Sequence, residues 1–288
     1  MNIVMVFESL IGMKFAEKKP IHVFALGILY ATVAIFLSLW IFRTEASLVM
    51  VFLTVMASIP LVYATLKHEA ARDLHVKDES RILKGHMYAL RLFIFLFLGY
   101  IVAFVFWYLV LPSEIIYDLF STQMLTIQAI NGNTVSGYAS SSFNFLALIV
   151  GNNLKVLFFC IFFSFFYGAG AIFILTWNAT VISAAIGAFF RNNIGDYASS
   201  VGLMKVAGYF HILSLGLLRY MTHGMFEILA YFIGGLAGGI ISLAILHFKI
   251  NEGEFRILMK DAVNLVILAI VVLILAGLIE LFVTPLMF

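Results

Sequence analysis

The stretch RYMTHGMFEILAYFIGGLAGGIIS, Arg219 to Ser242, sets three ionisable groups four residues apart and follows them with four glycines. Positions i and i+4 share a helix face, so Arg219, His223 and Glu227 form one stripe, which Tyr231, Gly235 and Gly239 continue. Gly234-x-x-x-Gly238 and Gly235-x-x-x-Gly239 are overlapping small-residue ridges, which let a second helix approach to backbone distance within the chain or across a dimer. On a straight helix, Arg219 and Glu227 stand roughly 12 Å apart. Pairing between them therefore predicts a break or bend at His223-Gly224.

Composition decides what surrounds this stretch. Hydrophobic residues make up 64% of the 288-residue chain and charged residues 11%, and the mean hydropathy is +1.09. Soluble domains carry about 25% charged and about 45–50% apolar residues, so the solvent of this chain is lipid. The formal net charge of +2 gives no basis for nucleic-acid binding. Cys160, the single cysteine, has no intrachain disulfide partner and reads as a small hydrophobe in VLFFCIFFSFF, not as a redox or metal group.

Along the chain, residues 1–20 mix charge with apolar groups and read as a cytoplasmic or interfacial segment without a secretory cleavage site. Residues 21–66 read as a transmembrane hairpin, Ile21 to Phe42 and Ala46 to Leu66, with a kink expected at Pro60. Residues 67–91 form the most basic segment, which the positive-inside rule places in the cytoplasm together with the N-terminus. A third span covers 92–111. An extracytoplasmic loop covers 112–145, in which IQAINGNTVSGYA reads either as a small β-hairpin or as irregular chain.

Residues 146–248 read as a core with broken helices. It holds a span from Val156 to Thr176, two short apolar stretches (Ala179 to Phe190 and Ala207 to Met221) and a full-length span from Met225 to Phe248. A second basic cytoplasmic loop covers 249–262, and residues 263–288 form the last span. Charge parity allows one short stretch to cross and requires the other to be re-entrant. The expected fold is an all-α polytopic membrane protein with about six full-length spans, one short crossing and one re-entrant or broken helix. It sits in the cell membrane with a cytoplasmic N-terminus.

The polar candidates are Asn152, Asn153, Asn178, His211, Arg219, His223, Gly224 and Glu227. A charged side chain at the bilayer centre costs about 2.5–3.5 kcal/mol, so the stripe needs either mutual compensation or water. The first requirement makes these residues a structural core of caps and staples. The second makes them a polar chamber. Asn152 and Asn153 are positioned to cap a span, and Asn178 to end one. A metal reading has only His211, His223 and Glu227 to draw on, without an HExxH or a cysteine partner. No Walker loop, Rossmann fingerprint or nucleophile elbow is present. No catalytic residue, metal ligand or cofactor is therefore assigned.

GNNLKVLFF, WNATVISAAIG and THGMFEILAYFIGGLAGG, all between Gly151 and Ser242, resemble the stage II sporulation protein M family of integral membrane proteins. The VFESLI opening is similar to archaeal members. The matching positions are Asn152, Asn153, Asn178, His223, Gly224 and Glu227, and Thr222 stands where the family often has proline. The resemblance implies a membrane partner in a larger machine, with enzymatic components on separate proteins and no catalytic residue here. The expected partners are membrane lipids, other membrane proteins and a second copy of the chain as a dimer. A transporter or channel working through His223, Glu227 and Arg219 is the first alternative, and an intramembrane metal-dependent enzyme the second.

Overall fold

The computed structural model describes residues 20–75, 79–137, 142–164, 169–197, 203–246 and 252–284. The helices are α1 (Pro20–Ile41), α2 (Ala46–His75), α3 (Glu79–Val110), α4 (Ser113–Gly137), α5 (Ser142–Ser164), α6 (Ala169–Asn193), α7 (Leu203–Leu246) and α8 (Glu252–Leu278). Short 3-10 turns at Arg43–Glu45 and Ile194–Tyr197 and a π turn at Ile279–Val283 complete the described structure, which contains no strand. All of these helices except α4 are long and apolar enough to cross a membrane, giving seven spans. The protein is an all-α polytopic membrane protein.

Lipid tolerates apolar side chains on every face, so size, not polarity, sorts the faces of these helices. α1 starts with Pro20, whose missing N–H costs nothing at a helix start. It turns Gly27, Ala31, Ala34 and Ser38 inward, and Leu29, Val33, Phe36 and Trp40 outward. α3 answers with Gly99: a Cβ on Gly27 would lie 2.5 Å from the Leu96 carbonyl oxygen, so the two backbones touch. α8 follows the rule in part, burying Ala262, Ala269, Ala276 and Gly277 together with Leu258, Leu265 and Leu273, and exposing Val263, Ile267, Val271 and Ile274.

α7 is the axle of the bundle. Gly234 faces Leu157 of α5. A Cβ on Gly235 would lie 2.8 Å from the Ala171 Cβ of α6, and one on Gly238 would lie 2.6 Å from the Ile161 carbonyl oxygen of α5. At Gly239 the neighbour is Leu66 of α2, at 2.7 Å. Both glycine ridges are thus occupied inside the chain. Phe232 adds α3 to the same axis, stacked on Phe93 with ring centroids 5.9 Å apart and edge-on to Phe97 at 5.7 Å.

Several boundaries differ from the sequence reading. The expected break at Gly224 is absent: α7 is one helix of 44 residues, about 66 Å long at 1.5 Å per residue. Ala207 to Met221 is its first half and is not re-entrant. A glycine inside a helix costs about 1 kcal/mol, whereas freeing backbone groups at membrane depth costs several each, so continuation wins. The fourth span is α5, ending at Ser164, and Ala179 to Phe190 belongs to α6, which is itself full length. Asn152, Asn153, Lys155 and Asn178, the most polar residues of the run from Phe145 to Phe190, lie inside the two helices, so only Gly168 and Gly170 mark the edge between them.

The basic segment 67–91 is helical wherever it is described, as extensions of α2 and α3. The supposed hairpin in the 112–145 loop falls within α4 as far as Gly137. The first half of α4 buries Ile116, Leu119 and Phe120, with Phe120 on Phe104 and Tyr108 of α3, and the helix continues through Asn131-Gly132. Gln123 accepts from the Ser47 hydroxyl at 2.8 Å and donates to Thr180 at 3.2 Å, which ties α4 to α2 and α6. Arg43 and Asp118 pair across 2.8 Å at the exposed rim.

Two glycines separate an axle from a hinge. No atom lies within 4 Å of a Cβ placed on Gly224. Gly224→Ala is therefore expected to leave the thermal transition in detergent unchanged or raise stability by about 0.5–1 kcal/mol. Gly238→Leu, which would force α5 off α7, is expected to cost about 3 kcal/mol or more in the same measurement.

Candidate functional site: a polar tie inside the bundle

The stripe that begins at Arg219 runs down α7. The side chains of Arg219 and His223 lie outside the described residues. Glu227 lies one turn beyond His223 on the same helix. Its carboxyl accepts a hydrogen bond from the Asn153 amide of α5. The other end of that amide, Asn153 Oδ1, accepts from the Tyr231 hydroxyl at 3.1 Å. One buried asparagine thus bridges two residues of α7 that are four apart and locks the α5–α7 register.

Glu280 of the π turn completes the site from a third direction, within electrostatic reach of both Glu227 and Tyr231. A π turn widens the helix by one residue and is rare outside functional sites. Here it follows directly on α8, which packs along α7. Two carboxyl groups, one carboxamide and one phenol therefore converge in the half of the bundle nearest Gly224. The arrangement can hold protons or share hydrogen bonds, and it contains no nucleophile–base pair. The cavity between α2, α3, α6 and α7 is separate and apolar, lined by Val62, Leu66, Phe93, Ala171, Ile172, Leu175, Phe232 and Gly235.

The other polar candidates are placed apart. Asn152 and Asn153 sit mid-helix in α5, three turns after its start, so they cap nothing; Asn152 is exposed while Asn153 is buried. Asn178 ends no helix: its amide donates to the Ile174 carbonyl at 2.8 Å within α6. His211 is exposed on the first half of α7. Among the described residues, no group of three His, Cys, Asp or Glu side chains is arranged to hold a metal ion.

Sequence reasoning missed a second buried cluster at the opposite end. His86 of α3 lies between Glu69 of α2 and Asp261 of α8, its Nδ1 3.3 Å from Glu69 and its Nε2 2.9 Å from Asp261. Glu69 and His86 are almost fully buried. Each ring nitrogen stands within ion-pair distance of a carboxylate, so the imidazole bridges three helices. The signal available was a histidine flanked by acids in segments read as loops.

Asn153→Leu removes both bonds of the tie and strands Glu227, so it is expected to cost about 2 kcal/mol in detergent unfolding. Tyr231→Phe removes one bond and is expected to cost less than about 1 kcal/mol. Equal losses from the two variants would contradict the tie.

With this geometry in place, comparison with known proteins adds the family. Residues 92–285 match the family described as Stage II sporulation protein M. An uncharacterized protein of the archaeon Methanocaldococcus jannaschii is 27% identical over 163 residues, which is 55% of this chain and 82% of the relative. No solved structure matches. The match begins at Leu92 within α3 and runs through α8, and so covers Asn153, Glu227, Tyr231 and Glu280, while α1 and α2 precede it. The chain belongs to the stage II sporulation protein M family.

Proposed function

We propose that this chain is a non-enzymatic component of a membrane assembly, holding other proteins in place from within the bilayer. The observation that carries this reading is the Asn153 bridge: the buried polar groups of α5 and α7 are spent on each other, as in a structural core. The role implied by the resemblance, a membrane partner whose enzymes are separate proteins, agrees with it. The N-terminus and the α2–α3 and α7–α8 connections would face the cytoplasm, since Lys67, Arg91, Arg256 and Lys260 lie at that end.

A second reading has one specific observation in its favour. Glu280, in a π turn, lies within electrostatic reach of the buried Glu227, and intramembrane carboxyl groups commonly mark proton or cation paths. In this reading the pair exchanges a proton or cation with the Gly224 end of the bundle.

One comparison separates the two readings. Full-length protein isolated from native membranes in mild detergent is expected to carry a second polypeptide in fixed stoichiometry. Purified alone into liposomes, it is expected to pass neither protons nor sodium. Proton or sodium flux that Glu227→Gln abolishes would overturn the assembly reading and establish the second.

Orientation has its own test. Cys160 is buried and gives little background. A membrane-impermeant thiol reagent applied to intact cells is expected to label Asn192→Cys and to spare Arg256→Cys, and the reverse would invert the topology.

A further inference from the structure

α5 is the least covered of the seven spans. Leu148, Asn152, Lys155, Phe159 and Phe162 are all exposed along it, at spacings of four, three, four and three residues. That is the period of a helix seam in a left-handed pair. Its aromatic end is preorganised: Phe158 stacks on Phe162 and Phe159 on Phe163, with centroids 6.0 and 5.8 Å apart.

Its middle is incompatible with lipid. α5 runs from Ser142 to Ser164, so Lys155 is thirteen residues from one end and nine from the other, at least about 13 Å at 1.5 Å per residue. A four-carbon stem falls short of both interfaces, so Lys155 cannot snorkel to a headgroup as a lysine near a helix end does. Among the described residues, neither Lys155 nor Asn152 has a hydrogen-bond or ion-pair partner. Left in hydrocarbon, the ammonium costs about 2.5–3.5 kcal/mol. A second copy does not remove that cost. Two copies in one membrane share an orientation, so symmetric α5–α5 pairing would set Lys155 against Lys155 at equal depth.

We propose that the Leu148–Asn152–Lys155–Phe159–Phe162 seam of α5 docks a membrane-spanning helix of another protein that carries a carboxylate at mid-depth. The carboxylate pairs with Lys155, Asn152 supplies an amide to its free oxygen, and the phenylalanines pack the partner's apolar side chains. This rests on the assembly reading and names the chemistry of the partner.

The probe is a polyleucine transmembrane peptide of about 21 residues with one central Glu, Gln or Lys, co-reconstituted with the full chain in phosphatidylcholine liposomes. Association is read by energy transfer from a donor on the chain to an acceptor on the peptide. The Glu peptide is expected to associate about tenfold more tightly than the Gln peptide. Lys155→Met should erase that difference, and Lys155→Glu should shift the preference to the Lys peptide. An unchanged thermal transition in both variants keeps the comparison valid, as Lys155 is exposed and makes no hydrogen bond or ion pair among the described residues.

Absence of a Glu preference, or a preference that survives Lys155→Met, overturns the proposal. So does transfer between two labelled copies of the chain that Phe159→Ala removes, because the occupant is then a second copy. If the peptides show no preference while the native complex persists in Lys155→Met, the docking face is wrong and the assembly reading stands. Flux through Glu227 with no native complex would instead remove the assembly reading itself.

Discussion

The close approach of α7 to its neighbours is the constraint on which the rest of the structure depends. In hydrocarbon, helices gain nothing from hiding apolar surface, so association relies on short van der Waals contacts and a few hydrogen bonds. Each atom pair contributes only about 0.1–0.2 kcal/mol, which makes separation decisive. Four glycines on α7 bring α2, α5 and α6 to contact at one level of the bundle. A side chain at any of them would hold one neighbour away and forfeit the sum. Gly27 and Gly99 do for α1 and α3 what this ridge does for the centre.

Glycine contacts fix distance but specify register weakly, and the two buried polar clusters supply that. Near Gly224, Asn153 bridges Glu227 and Tyr231 and sets α5 against α7. At the other end, His86 holds Glu69 and Asp261 and sets α3 between α2 and α8. A one-residue slip of either helix would leave a carboxyl group without its partner in a low-dielectric interior, where that loss is most expensive. The clusters share no helix pair, so between them α2, α3, α5, α7 and α8 are pinned. The geometry of Asn153 is also what makes Glu280 notable: a second acid lies within electrostatic reach of a tie in which Asn153 is already bonded on two sides.

How much of this was legible in the sequence follows from where the information lies. Ile21 to Phe42 is a span because its length matches hydrocarbon thickness, and the Gly234–Gly239 ridges announce close packing by spacing alone. The Asn pair and the HG-x-x-E element placed Asn153 and Glu227 among the candidates before any contact was visible. Glu280 was not legible, because it is joined to Glu227 by packing and sits in a π turn without sequence signature. His86 and Asp261, 175 residues apart in the chain, were hidden because basic composition reads as loop, whereas α2, α3 and α8 extend into those segments as helix. The Gly224 break was a local inference that the cost of opening a helix in lipid overrides.

The packing of the bundle depends on α7 being one unbroken helix, and the length of α7 is the most direct test. Spin labels at Phe210 and Ile245, both exposed, flank 35 residues of it. Electron–electron distance measurement on the protein in lipid nanodiscs is predicted to give a single narrow population near 52 Å, at about 1.5 Å per residue. A chain that turned back at Gly224 would instead hold the labels within about 30 Å, the thickness of one hydrocarbon core. That result would dissolve the axle, the placement of Glu227 beside Asn153 and the assignments built on them.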